Sequence, residues 1–248
     1  MTGLATAGLL LAPWTLSAAP RKNRFKAIAF DAFPIFDPRP IFRTVQELFP
    51  EKGKQIVDTW QVKQFGYQWM RAAGHRYKSF PDVTLDALRF ALAQSGTVAD
   101  GATTDRIMAG YDNLNIWEDV APALEQLKER GLKLTFLSNM TEAMLQRGLR
   151  NGRIEKFFDH VFSTDRRQTY KPAPEAYRMA VDGLKLKKEE ILFVPFAGWD
   201  LAGAKWFGYP AFWVNRLSAA PDELDAMPDG SGRSLADLVA FIGSHSDN

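Results

Sequence analysis

Five short apolar segments alternate with helical patterns along most of this chain, and that alternation leaves few folds open. Residues 25–30 (Phe-Lys-Ala-Ile-Ala-Phe) have the length and apolar character of a buried strand. Residues 132–137 follow the helix-breaking Gly131 and predict a second. Residues 161–163, 191–194 and 211–214 predict three more, the last introduced by Gly208-Tyr209-Pro210. Between them, Val120, Leu124 and Leu127 share one helical face, and Ala143, Leu145 and Leu149 share another. Residues 176–184 and 201–207 carry two further helical patterns. Strands separated by helices require right-handed crossovers and a parallel sheet covered on both faces, so the expected fold class is α/β. In such sheets ligands and chemistry gather at the carboxyl ends of the strands.

Residues 38–115 break the rhythm with four helical patterns and no strand. The longest covers about 52–72 and carries Ile56, Trp60, Phe65, Tyr67 and Trp69; Pro81-Asp82 opens the next, with Leu85, Leu88, Phe90 and Leu92 along it. This stretch reads as a helical cap inserted after the first strand, which divides the chain into a core of 24–37 plus 116–248 and a cap of 38–115. Residues 1–20 contain no charged residue, are nearly all apolar from Leu4 to Leu16, and end in the small residues Ser17-Ala18-Ala19. The apolar run is too short to span a bilayer. It predicts the remnant of an export signal, and with it a periplasmic or exported protein. The other reading is an apolar N-terminal helix packed on the domain or on a partner, in a protein that is then cytoplasmic.

Composition narrows the chemistry. With no cysteine, the chain has no disulfide framework, no thiolate metal site and no thiol nucleophile. The three histidines, His75, His160 and His245, are too scattered to suggest a metal site. Lys plus Arg 31 against Asp plus Glu 29 leaves +2, which argues for no nucleic-acid partner. Catalysis therefore rests on carboxylates, hydroxyls, amides and lysine, and these stand where the strands end. Asp31 follows the first strand and Ser138-Asn139 the second. Lys171-Pro172 are expected to begin the helix after the third, with Tyr177 six residues along, and Asp200 follows the fourth within Gly198-Trp199-Asp200.

Asp, Ser, Lys and Asp at successive strand ends resemble the haloacid dehalogenase (HAD) superfamily. More closely, Phe30-Asp31-Ala32-Phe33, Leu137-Ser138-Asn139, Tyr170-Lys171-Pro172 and the run 199–205 (Trp-Asp-Leu-Ala-Gly-Ala-Lys) resemble the type II (L-2-haloacid) dehalogenases. The likeness spans roughly 26–216, including Trp60, Lys63-Gln64, Tyr67 and Trp69-Met70-Arg71. It implies a Rossmann-like parallel-sheet core with an inserted helical cap. It also implies metal-independent hydrolysis of the carbon–halogen bond of small 2-haloacids, with no cofactor and with a possible homodimer. In that chemistry Asp31 is the nucleophile that forms an ester intermediate. Lys171 keeps it ionised and steers the substrate carboxylate, Ser138 holds that carboxylate, and Asn139 donates to the departing halide. Asp200 balances Lys171 or activates water, and Tyr177 orients the pair. Phe33, Phe65, Phe80 and Trp199 line an apolar pocket, and Gln61 contacts substrate from the cap.

The likeness has departures. The threonine that assists the nucleophile falls on Ile35, the halide-binding arginine of the cap on Gln61, and a serine and an asparagine after the fourth strand on Pro195 and Ala197. Four polar functions change together, which suggests a remodelled site. A magnesium-dependent phosphatase would need a second acid two residues after Asp31, where Phe33 stands, and more hard oxygen ligands than this site offers. The alternatives are a cryptic or non-catalytic binder of a small carboxylate, or a HAD hydrolase acting on another small acid or phosphate ester. Each strand-end residue also has a plainer reading: Ser138-Asn139 as a helix cap, Lys171-Pro172 as a solvated loop, and Asp37 as turn chemistry.

Overall fold

The computed structural model describes residues 24–245; the expected export signal lies outside them. The elements run in chain order as β1 (Ala27–Phe30), β2 (Phe36–Asp37), α1 (Arg39–Leu48), α2 (Gly53–Ala73), α3 (Phe80–Gln94), α4 (Gly101–Met108) and β3 (Asn115–Ile116). They continue with α5 (Val120–Glu129), β4 (Lys133–Ser138), α6 (Glu142–Gly152), β5 (His160–Ser163), α7 (Pro174–Leu184) and β6 (Ile191–Val194). The last are α8 (Gly198–Phe207), β7 (Phe212–Val214), β8 (Gly230–Gly232) and α9 (Leu235–Ser244).

Four strands form a parallel sheet in the order β5-β4-β1-β6. Every residue of β1 and β6 is buried, as a parallel sheet covered on both faces requires. Ile28 and Phe30 face one core layer, while the small Ala27 and Ala29 face the other and leave room there for Tyr177 and Phe193. Phe30 pairs with both Phe136 and Val194, so Asp31 and the residues after β4 and β6 reach the same edge of the sheet.

Two expectations are corrected. The fifth predicted strand joins the sheet through a single parallel bridge, Phe193 to Ala211, and its continuation β7 pairs instead with β8. Lys171-Pro172 do not begin a helix. They stand in a turn with a cis peptide between them, and α7 starts at Pro174 after an extended Ala173. The reason is steric: a residue preceding proline is pushed out of the helical region.

Helices α1–α4 occupy the stretch that breaks the strand–helix alternation, and its two ends are tied by the antiparallel pair β2–β3, Phe36 to Ile116 and Asp37 to Asn115. Asp37 accepts from the Arg39 backbone N–H and guanidinium, which is turn chemistry. Trp60 is fully buried, donates from Nε1 to the Thr84 carbonyl at 2.8 Å and meets Tyr111 edge to face. Side-chain N-caps start four of the α-helices: Ser79 on α3, Asp100 on α4, Thr141 on α6 and Ser234 on α9.

Close packing reaches the strand ends through Gly203 of α8. A Cβ there would collide with the Tyr177 hydroxyl and lie 2.7 Å from Pro172 Cβ. Gly203→Ala should therefore lower stability by about 1–3 kcal/mol, the usual cost of overpacking. Urea denaturation checks this, and an unchanged midpoint would contradict the packing described.

Candidate active site

At the carboxyl edge of the sheet, one ammonium sits between two carboxylates. Lys171 Nζ donates to Asp31 Oδ1 at 2.9 Å and to Asp200 Oδ2 at 2.5 Å. The other Asp200 oxygen accepts from the Tyr177 hydroxyl at 2.7 Å. The members come from three connections: Asp31 from the end of β1, Lys171 and Tyr177 from the turn before α7 and from α7 itself, and Asp200 from the first turn of α8. Lys171 and Asp200 are 1% exposed, whereas the Asp31 side chain keeps 13% of its surface open. Asp31 Oδ2 accepts only a long bond, 3.3 Å, from the Phe33 N–H.

Burial acts to lower the Lys171 pKa, but the opposed charges of Asp200 and Asp31 outweigh it and the lysine is held above its ordinary value. Asp200 moves from 3.8 up to about 6, first because it is desolvated and then because the Asp31 charge repels; Lys171 and Tyr177 pull the other way. Tyr177 is raised well above the ordinary tyrosine range by burial and by the Asp200 charge.

Beside this chain lies a cavity of about 230 Å³ lined by Asp31, Asp200, Ser138, Asn139 and a ring of apolar side chains. That is below the roughly 300 Å³ at which pockets for drug-sized ligands begin, so it suits a molecule of few heavy atoms. All five residues expected to form the pocket, Phe33, Gln61, Phe65, Phe80 and Trp199, line it. Lys171 and Tyr177 do not; they stand behind the two aspartates. Trp199 packs on Phe65 and Trp69 of α2 at centroid distances of 5.3 and 5.5 Å, which joins α8 to the helical segment.

Ser138 Oγ accepts from the Met140 N–H at 3.2 Å. Asn139 Oδ1 accepts from the Lys171 backbone N–H at 2.8 Å, and its Nδ2 donates to Gln68 Oε1 at 2.9 Å. The altered positions have settled differently. Ile35 is fully buried in the core and does not reach the cavity, whereas Gln61 and Ala197 line it. Pro195 accepts from the Val214 N–H through its carbonyl, and Phe196 turns into the cavity edge-on to Phe33 at 5.9 Å.

Sequence reasoning missed Gln68, Tyr111, Phe42, Met140 and Leu217 as lining residues. Gln68 lies one helical turn beyond Gln64 and two beyond Gln61 on α2, a period that could have marked the face turned to the cavity. Among the described residues, no group of three or more His, Asp or Glu is arranged to hold a metal ion.

A capped α/β protein with this charge chain at its strand ends belongs to a recognisable class. A family model for haloacid dehalogenase-like hydrolases matches residues 19–208. The (S)-2-haloacid dehalogenase of Pseudomonas sp. (strain YL) is 36% identical over 218 residues, which is 88% of this chain and 94% of the relative. Among solved structures, the L-2-haloacid dehalogenase RSc1362 matches with a TM-score of 0.85 and 36% identity over 88% of this chain and 99% of the other. The L-2-haloacid dehalogenase from Xanthobacter autotrophicus with chloropropionic acid covalently bound matches at 0.81 and 29%, over 88% and 98%. The chain belongs to the haloacid dehalogenase-like hydrolase family.

The Asp200 value sets a pH signature. Between about pH 4 and 6 the folded chain holds a proton on Asp200 that the unfolded chain has released, so acidification through this window favours folding at this residue. Asp200→Asn removes that term. The slope of unfolding free energy against pH should then become more positive by up to about 1.4 kcal/mol per pH unit in this window. Urea unfolding at several pH values checks it, and parallel slopes would contradict the raised acid.

Proposed function

We propose that the protein hydrolyses the carbon–halogen bond of small 2-haloacids through an ester on Asp31, without a metal. The observation that carries this reading is the setting of Asp31: a partly open carboxylate at the wall of a small aromatic cavity, with its Oδ1 tied to a buried lysine. The names of the (S)-2-haloacid dehalogenases it resembles supply the substrate class.

Asp31 attacks the carbon bearing the halogen, most freely through Oδ2, the less engaged oxygen. The carbon–oxygen bond forms as the carbon–halogen bond breaks, and the halide leaves with the bonding pair. Water then adds to the ester carbonyl, and collapse returns the Asp31 carboxylate and releases a 2-hydroxy acid and a proton. Lys171 holds the Asp31 carboxylate in place. Asp200, with both oxygens engaged, holds Lys171, and Tyr177 holds Asp200. Phe33, Phe65, Phe80, Phe196 and Trp199 keep bulk water from a carboxylate that must act as a nucleophile.

Halide release tests the reading. Fluoro-, chloro- and bromoacetate and both 2-chloropropionate enantiomers are supplied in the presence of EDTA, with Asp31→Asn alongside. Release from at least one acid should persist in EDTA and fall at least about a thousandfold in the variant, the scale on which loss of a nucleophile acts. Absence of release from every acid would reject the reading and leave the small-carboxylate binder. Release abolished by EDTA would reject the metal-independent route.

A further inference from the structure

From Ala32 to Phe36 the loop that follows Asp31 has no polar side chain, and Pro34 has no backbone N–H. Such a loop can be held only through its backbone. Its own turn supplies two bonds, from the Ile35 and Phe36 N–H groups to the Ala32 carbonyl at 3.1 and 2.9 Å. The next three carbonyls are all taken up from outside. Trp117 Nε1 donates to the Phe33 carbonyl at 3.0 Å, and the Trp117 backbone N–H donates to the Ile35 carbonyl at 3.1 Å. Between them, Arg216 donates to the Pro34 carbonyl through Nε at 3.0 Å and Nη2 at 2.7 Å.

The two donor residues are themselves fixed. The Arg216 side chain is 5% exposed, and its Nη1 donates to Asp119 Oδ1 at 2.9 Å. The other Asp119 oxygen accepts from the Leu235 N–H at the start of α9. The Arg216 guanidinium also lies over the Trp117 ring, 4.7 Å from its centroid, and that of Arg39 lies over the same ring at 4.3 Å. A planar fork can grip a carbonyl and a carboxylate at once, which the single ammonium of a lysine does not reproduce. Neither Trp117 nor Arg216 lines the cavity. What they hold does: Phe33 lines it, and the Phe33 N–H is the donor at Asp31 Oδ2.

We infer that Arg216 and Trp117 are positioning residues for the nucleophile, an inference whose consequence for rate rests on the dehalogenase reading above. The two form a clamp that acts through the backbone. Holding the Phe33, Pro34 and Ile35 carbonyls keeps the Phe33 N–H at the Asp31 oxygen assigned to attack, and keeps the Phe33 ring in the cavity wall. In-line attack depends on such placement, and a shift of about 1 Å can cost about a hundredfold in rate. Because the clamp touches no substrate atom, its loss is felt in turnover rather than in binding.

Two measurements on the full chain test this: halide release from the haloacid that wild type turns over fastest, and deuterium exchange read by mass spectrometry. Arg216→Lys keeps a cation facing Asp119 but not the fork, and Trp117→Phe keeps the ring but not the Nε1 donor. Each should lower kcat about tenfold to a hundredfold and leave KM within about twofold. Exchange in the peptide covering residues 31–36 should quicken about tenfold, while peptides of β4 and α7 exchange as in wild type. A merely structural role would instead speed exchange throughout and lower kcat only as far as the folded fraction falls, which circular dichroism measures. Trp117→Phe is the milder change and carries the test alone if Arg216→Lys does not fold. The inference is overturned if either folded variant keeps the wild-type kcat, if KM rises in place of a fall in kcat, or if exchange quickens in every peptide alike. If wild type releases halide from no haloacid, the dehalogenase reading fails on its own and exchange decides the clamp. Loosening confined to residues 31–36 keeps it, and any other pattern overturns it.

Discussion

A buried ammonium held between two carboxylates, Asp200 buried and Asp31 partly open, is the interaction on which the rest of this molecule depends. Removing such groups from water costs several kcal/mol per ion, and only close geometry with further hydrogen bonds offsets it. Here the offset is assembled from three crossovers. Asp31, Lys171 and Asp200 meet because β1, the turn after β5 and the start of α8 all deliver their residues to one edge of a parallel sheet. Tyr177 closes the far side of Asp200, and Gly203 has no side chain so that Tyr177 and Pro172 can approach. The three charges do not cancel. Burial, with the repulsion of Asp31 added to it, lifts Asp200 to about 6, and two carboxylates around one ammonium hold Lys171 above its ordinary value.

Around that centre the polar groups have been redistributed. Positions where the dehalogenase likeness puts a threonine, an arginine, a serine and an asparagine carry Ile35, Gln61, Pro195 and Ala197. Ile35 has joined the core, and the Pro195 carbonyl ties the end of β6 to β7 through Val214. Phe196 and Phe33 close the cavity with aromatic surface. Polarity now enters from α2. Gln64 Nε2 is taken up by the Thr84 hydroxyl at 2.6 Å, whereas Gln68 is tied to the core through Asn139 and keeps one donor free. The result is a cavity lined by aromatic side chains and neutral amides, with no arginine or lysine in its wall.

Much of this was legible in the sequence, because apolar strands of four to six residues announce themselves and the residue after each strand is placed by the fold. Asp31, Ser138, Asn139 and Asp200 could be assigned to one edge on that ground alone. The short pairs were not legible: β2–β3 and β8 are two or three residues long, too short for a period, and exist only through their partners. A proline suits the first turn of a helix, so Lys171-Pro172 read as a helix start, but the helix begins at the second proline, Pro174, and the first one keeps Lys171 in the turn before it. Gln68 was missed for a different reason. Its meaning depends on Asn139, 71 residues away, and through it on a backbone N–H of Lys171. No local pattern carries a hydrogen bond of that range.

The ester on Asp31 is tested most directly by following oxygen. With the protein in excess over 2-chloropropionate in water enriched in oxygen-18, a single turnover should leave one heavy oxygen in the peptide that contains Asp31 and release unlabelled 2-hydroxypropionate. The transferred oxygen is then the carboxylate's own and the water's replaces it. Heavy oxygen in the hydroxy acid with none in the Asp31 peptide would mean that water attacks the substrate directly, and the nucleophile assigned here would be wrong.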